Sequence, residues 1–102
     1  MAIMMLYKWE GTTPEQYDAV RAGVGWLDNP PEGGRVHVAA FSEGALHITD
    51  VWDSVEAFQA FAQDRLLPLI QQVGIAGEPT IEFLPLHELF CPISDTVLLT
   101  AV

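Results

Sequence analysis

The chain has 102 residues, enough for one domain and too few for a second. Fourteen acidic side chains against four basic ones give a formal charge of −10. Such a field repels phosphate backbones and anionic lipid heads, which argues against nucleic-acid and membrane partners. The basic residues, Lys8, Arg21, Arg35 and Arg65, are scattered and form no patch. Half of the residues are apolar and mean hydropathy is +0.25, a surplus that points to an oligomer interface or a ligand cavity. Cys91 is the single cysteine, so no internal disulfide is expected and a reducing, cytoplasmic setting is the simpler reading. The apolar start, Met1 to Trp9, lacks a basic n-region and a cleavage site, and no apolar run approaches the roughly 20 residues that span a bilayer.

Residues 2–9 (AIMMLYKW) alternate as a first strand, with Ile3, Met5, Tyr7 and Trp9 on one face and Met4, Leu6 and Lys8 on the other. Glu10-Gly11 breaks it. Thr13-Pro14-Glu15-Gln16 then reads as a helix start, with Thr13 and Gln16 closing a capping box and Pro14 at the first helical position. Tyr17, Val20, Val24 and Leu27 continue at helical spacing as a buried stripe. The run from Asp28 to Gly34 is a loop.

Two strands follow, residues 35–41 and 45–52, joined by the short turn Ser42-Glu43-Gly44. With Glu43 at the centre of the turn, Phe41 is expected opposite Ala45, Ala39 opposite His47 and His37 opposite Thr49. Asp53 and Ser54 both suit a helix cap, and Asp53 with Glu56 has capping-box spacing. Phe58, Phe61, Ala62, Leu66, Leu69, Ile70 and Val73 trace one apolar helical face, which Pro68 should kink or split and Gly74 should end. A last strand is expected over residues 80–90. Pro85 within it cannot donate to a ladder, so it belongs at a sheet edge. Residues 96–102 (TVLLTAV) have strand character and are expected to pair with another strand, one of a partner subunit.

The order β-α-β-β-α-β predicts an α+β, ferredoxin-like domain over residues 1–91, with both helices on one face of an antiparallel sheet. Residues 92–102 form an extension. If Val36, Val38, Leu46, Ile48 and Trp52 pack on the helices, the bare face carries Tyr7, Trp9, His37, Phe41, His47 and Val51. At about 25 cal/mol per Å² of apolar area, covering such a face with a second copy is worth many kcal/mol. A homodimer follows, against the alternative of a monomer with one wet face.

The stretch Val51-Trp52-Asp53-Ser54-Val55-Glu56-Ala57-Phe58 resembles the dimeric α/β-barrel superfamily. The longer run from Trp52 to Gly74, the opening Thr13-Pro14-Glu15-Gln16-Tyr17 and the ending Pro85-Leu86-His87 resemble small uncharacterised bacterial members of it. The resemblance covers roughly residues 2–91. It implies a dimeric α/β barrel, related to antibiotic biosynthesis monooxygenases, within a superfamily that also holds haem-degrading enzymes, isomerases, dehydratases and members without known activity. No catalytic set from one branch maps onto this chain.

Phosphate loops, paired CxxC, HExxH and nucleophile elbows are missing from the sequence. Of three histidines, His37 and His47 are expected on one face of neighbouring strands, where imidazoles serve as acid or base near neutral pH; two polar residues on a partly solvated sheet explain them as well. His87, beside Pro85, reads as structural or interfacial. Tyr7 and Trp9, with Phe41, offer rings for stacking on a planar substrate, and dimer-core packing accounts for them equally. Asp50 is a candidate base if buried; the alternative is a strand-end carboxylate bonded to backbone amides or Arg35. The expectation is a metal-free, cofactor-free oxidation or isomerisation of a small apolar, aromatic, phenol- or enol-like molecule. His37, His47 and Asp50 would carry the protons, and Tyr7, Trp9 and Phe41 the ligand. A non-catalytic ligand-binding or protein-interaction member is the alternative; haem handling ranks last, for want of a ligand motif.

Overall fold

The structure, a computed structural model, describes residues 1–91; the expected extra strand over residues 96–102 lies outside them. Strand β1 (Ile3–Glu10) leads to helix α1 (Pro14–Val24), then to the hairpin of β2 (Gly34–Ser42) and β3 (Ala45–Trp52). Helix α2 (Val55–Phe61), a π turn (Ala62–Leu66) and helix α3 (Leu67–Val73) form one continuous helical arm, and β4 (Thr80–Pro85) closes the sheet. The strand order is β2-β3-β1-β4, with every pair antiparallel. The ferredoxin-like arrangement expected from element order is the one found.

Local chemistry accounts for the boundaries. Thr13 Oγ1 accepts from the Gln16 amide at 3.1 Å while Gln16 Oε1 accepts from the Thr13 amide at 3.0 Å, the reciprocal box. Helix α1 ends at Gly25, in the left-handed region at φ 61°. Leu27 therefore lies beyond the helix and is exposed rather than part of the buried stripe. Ser54, not Asp53, caps α2, through the Ala57 amide. Asp53 is taken up by Arg35 in a two-pronged pair at 2.7 and 2.8 Å, which holds its carboxyl below the usual carboxylate range.

Pro68 splits the helical arm as expected. The Leu67 amide reaches back five residues to the Ala62 carbonyl, and the widened π turn accommodates a residue without an amide donor. Strand β4 ends at Pro85, five residues earlier than the sequence pattern predicts, and among the described residues it pairs with β1 at a sheet edge.

The core lies between sheet and helices. Ile3, Met5, Tyr7 and Trp9 from β1, with Leu46 and Trp52 from β3, meet Val20, Val24, Phe58, Phe61 and Ile70 of the helical layer. Trp52 and Met5 are fully enclosed. This corrects the expected division of faces. Tyr7, Trp9, His37 and Phe41 lie on the helix side, whereas Val36 and Val38 join His47 and Val51 on the bare side. The bare side is consequently more aliphatic than expected, carrying Met4, Leu6, Val36, Val38 and Leu84. Val38 is 53% exposed in the single chain.

The hairpin causes the exchange along β2. Its turn has two residues, Glu43 and Gly44, with Gly44 at φ 82°, so Ser42 pairs with Ala45 and Phe41 with Leu46. Every partner along β2 moves by one, and an odd shift carries residues from one face to the other. A bulge at Arg35, between the pairs Gly34–Trp52 and Val36–Val51, ends the shifted register and frees Arg35 to meet Asp53.

Candidate functional site

The corrected register sets His37 directly opposite Asp50, two central strand positions facing the helical layer. Asp50 is 3% exposed, a nearly buried carboxyl. Its Oδ1 lies 2.8 Å from His37 Nδ1, and its Oδ2 accepts the Trp52 indole N–H at 3.1 Å. From α1, Tyr17 brings its hydroxyl to 2.6 Å from His37 Nε2. A carboxylate only accepts, so His37 donates through Nδ1 and its Nε2 is left to accept the Tyr17 O–H. The result is a continuous chain: phenol to imidazole to carboxylate, with an indole fixing the far oxygen. Arg35 takes no part, in contrast to one alternative for Asp50.

The surroundings fix what each group does. Burial pushes the Tyr17 phenol above its ordinary value, and the Asp50 and Asp18 charges add to this while Arg21 opposes it. Tyr7 is raised strongly, again by burial first and Asp50 second. Both phenols therefore stay protonated at neutral pH and act as donors or relays, leaving the His37 imidazole as the base of the group. The Tyr17 and His37 rings are parallel to 3°, and Phe41 meets Tyr17 edge-on with centroids 6.1 Å apart.

Trp26, in the turn after α1, packs against His37 with ring centroids 5.1 Å apart and planes tilted by 33°. It also meets Trp52 and Phe61 edge-on. Arg65, from the π turn, secures this region: its guanidinium donates to the Val24 carbonyl at 2.6 Å and the Asn29 carbonyl at 2.8 Å. It also lies over the Phe61 ring. A cation on the last carbonyls of α1 complements the negative end of that helix.

Of the residues expected at the site, His37, Asp50 and Phe41 come together, and Tyr7 lies beside them in the core. His47 does not join them. It pairs with Ala40 on the opposite face, where Ser42 Oγ is 2.7 Å from its Nε2. There it borders an open groove of about 290 Å³ with Leu6, Thr49 and Glu82. Trp9 is also removed; its indole donates to the Ala76 carbonyl at 2.8 Å and ties β1 to the segment before β4. With the two histidines on opposite faces, they cannot ligate a common ion, and among the described residues no group of three or more His, Cys, Asp or Glu is placed to hold one.

Tyr17, Trp26 and Trp52 complete the site, although the sequence reads Tyr17 and Trp52 as packing residues. Tyr17 sits in the same stripe as Val20 and Val24, which hides its hydroxyl from a periodicity argument. No helix among the described residues is long and apolar enough to cross a membrane.

No family model matches the chain, and no curated protein resembles it in sequence. Solved structures do share its fold. The NE2512 protein of unknown function from Nitrosomonas europaea superposes with a TM-score of 0.66 at 17% identity, over 89% of this chain and 94% of that one. SnoaB, a cofactor-independent oxygenase from Streptomyces nogalater, gives 0.61 at 15%, over 86% and 94%. The ActVA-Orf6 monooxygenase of Streptomyces coelicolor, in complex with nanaomycin D, gives 0.61 at 18%, over 89% and 92%. The resemblance drawn from residues 2–91 thus holds for the fold.

Proposed function

We propose that this protein is a homodimeric, cofactor-independent oxygenase acting on a small electron-rich hydroxyarene. The observation that carries it is the Asp50–His37–Tyr17 chain. A buried carboxylate orients an imidazole, and a phenol held protonated connects that imidazole to the helix side of the domain. The fold shared with SnoaB and the ActVA-Orf6 monooxygenase supports the reaction class.

The chain's part is proton transfer. A substrate hydroxyl gives its proton to the Tyr17 oxygen as the Tyr17 proton passes to His37 Nε2, and Asp50 stabilises the imidazolium. The phenolate so formed is electron-rich enough to reduce dioxygen itself. Carbon–oxygen bond formation gives a peroxide anion, which takes back the proton held at His37; the hydroperoxide so formed loses its outer oxygen as water with the ring hydrogen to leave a quinone. One dioxygen is consumed per substrate, one oxygen atom entering the product and one leaving as water.

Oxygen uptake with dihydroxynaphthalenes, corrected for uncatalysed oxidation, tests this. Wild-type protein should accelerate uptake, and His37→Ala should return it to the background rate. Equal uptake by the two proteins would remove His37 from the chemistry. A non-catalytic ligand-binding member is the second reading, favoured by the aromatic filling of Trp26, Trp52 and Phe61 around the imidazole. It predicts binding without oxygen uptake for any hydroxyarene.

A further inference from the structure

We infer, building on the hydroxyarene reading above, that Trp26 is a built-in occupant of the ligand slot: the α1–β2 turn swings it out, and a planar bicyclic arene takes its place against His37.

The slot is made by fixed elements. His37 of β2 forms one wall at 5.1 Å from the indole, tilted by 33°. Trp52, at the end of β3, and Phe61, at the end of α2, present their rings nearly perpendicular to it, with centroids at 5.8 and 6.3 Å. Gly34 is the floor. A Cβ there would stand 3.0 Å from the far edge of the indole, so a side chain at this position would crowd the six-membered ring. Three aromatic walls and a glycine floor make a site for a flat fused ring system, and a half-buried indole fills it.

The occupant, in contrast, stands on neither helix nor strand. Residues 25–33 form the connection between α1 and β2, with left-handed glycines at its ends, Gly25 at φ 61° and Gly33 at φ 83°. The turn is fastened by the Asn29 amide on the Gly25 carbonyl and by Arg65 on the Val24 and Asn29 carbonyls. Polar fastenings of this kind exchange for water at small net cost, whereas withdrawing Trp52 or Phe61 would dismantle the core. The indole can leave while the walls stay. With Trp26 in place the indole packs against His37; with it out, a fused arene gains the same three ring contacts, and its hydroxyl lies on the side of the Tyr17–His37 chain.

The experiment is fluorine NMR of the full chain labelled with 5-fluorotryptophan, titrated with 2-naphthol, with cyclohexanol as the non-planar control. Three resonances are expected, for Trp9, Trp26 and Trp52. Saturable shifts of Trp26 and Trp52, with Trp9 unmoved and no response to cyclohexanol, are the predicted result. Trp26→Ala should bind 2-naphthol about tenfold more tightly than wild type, because nothing has to be displaced. If Trp26→Ala does not fold, Trp26→Phe should still tighten binding several-fold through its smaller ring. The inference is overturned if Trp26 does not shift, if Trp9 responds instead, or if the variants bind no more tightly than wild type. Oxygen uptake is a separate readout: tight binding without uptake upholds the slot and sinks the oxygenase, while uptake with a silent Trp26 does the reverse.

Discussion

Asp50 and His37 stand opposite each other on β3 and β2, with Oδ1 and Nδ1 2.8 Å apart and the aspartate almost wholly enclosed. Neither oxygen of Asp50 is spare, since the Trp52 indole occupies the second. Asp50→Asn keeps the shape but replaces one acceptor by a donor, so the amide must face either His37 Nδ1–H or Trp52 Nε1–H with a proton. One buried contact is lost or the imidazole takes its other tautomer, which then turns a second proton toward Tyr17. The expected cost is about 1–3 kcal/mol of stability, read as a lower urea midpoint with an unchanged slope. Asp50→Leu removes both acceptors and leaves the His37 Nδ1–H and the buried Trp52 indole N–H unpaired, so it should cost more in folding than Asp50→Asn while also removing oxygen uptake.

How far the sequence foretold this site turns on one residue of loop. The strands, both caps, the interruption at Pro68 and the edge position of β4 follow from local rules that act over a few residues. The face of β2 does not. Two-residue and three-residue turns are both compatible with Ser42-Glu43-Gly44, and choosing between them decides whether His37 meets Thr49 or Asp50. The longer turn sets His37 opposite Thr49 and places it diagonally on one face with His47, away from Asp50. The buried stripe on α1 was legible as packing, yet the pattern that identifies Tyr17 as apolar-facing is blind to what its hydroxyl touches. Asp50 itself stood out as an acid in an otherwise apolar strand; only its partners were hidden.

The two tyrosines give a pH dependence with a definite sign. Both phenols lie above their ordinary value of 10.0 in the folded chain, by burial first and the Asp50 charge in support. A raised folded value means that the fold favours the neutral form. Their contribution is whole below pH 10 and is lost as pH rises from there through the folded values. Absorbance near 295 nm should therefore stay flat past pH 10 and rise together with the loss of far-ultraviolet ellipticity. Phenolate absorbance developing at pH 10 in a chain still folded would contradict the burial of both rings.

Gly33 tests the attachment of the turn that carries Trp26. At φ 83° it is left-handed, and a Cβ placed on it would come within 2.7 Å of Ala57 Cβ on α2. Gly33→Ala should cost about 1–2 kcal/mol for the backbone alone and more for the overlap with α2. Gly44→Ala has the same backbone strain but open space around its Cβ, so it should show the smaller loss. Thermal unfolding of the two variants separates conformational strain from steric contact, and equal losses would mean that the α2 contact is relieved by a small shift of the turn.

The bare sheet face carries the remaining prediction. Leu6, partly exposed, lies on it with Val38, which is 53% exposed in the single chain. Antiparallel sheets tolerate one wet face when its side chains are polar, but this one alternates aliphatic residues with His47, Lys8 and Glu82. A second copy set face to face would remove those aliphatic residues from water, while the acidic charge of −10 disfavours less specific association. Wild-type protein should therefore sediment as a dimer at micromolar concentration. Val38→Glu should give single subunits, because it puts a charge on the face that a second copy would cover, and Arg35, the basic residue of β2, is already held by Asp53. Its circular dichroism should stay native, since residue 38 faces away from the helices. A wild-type chain that sediments alone would leave the aliphatic face without a cover and end the dimer proposal, while the Asp50–His37–Tyr17 chain, built wholly within one subunit, would survive it.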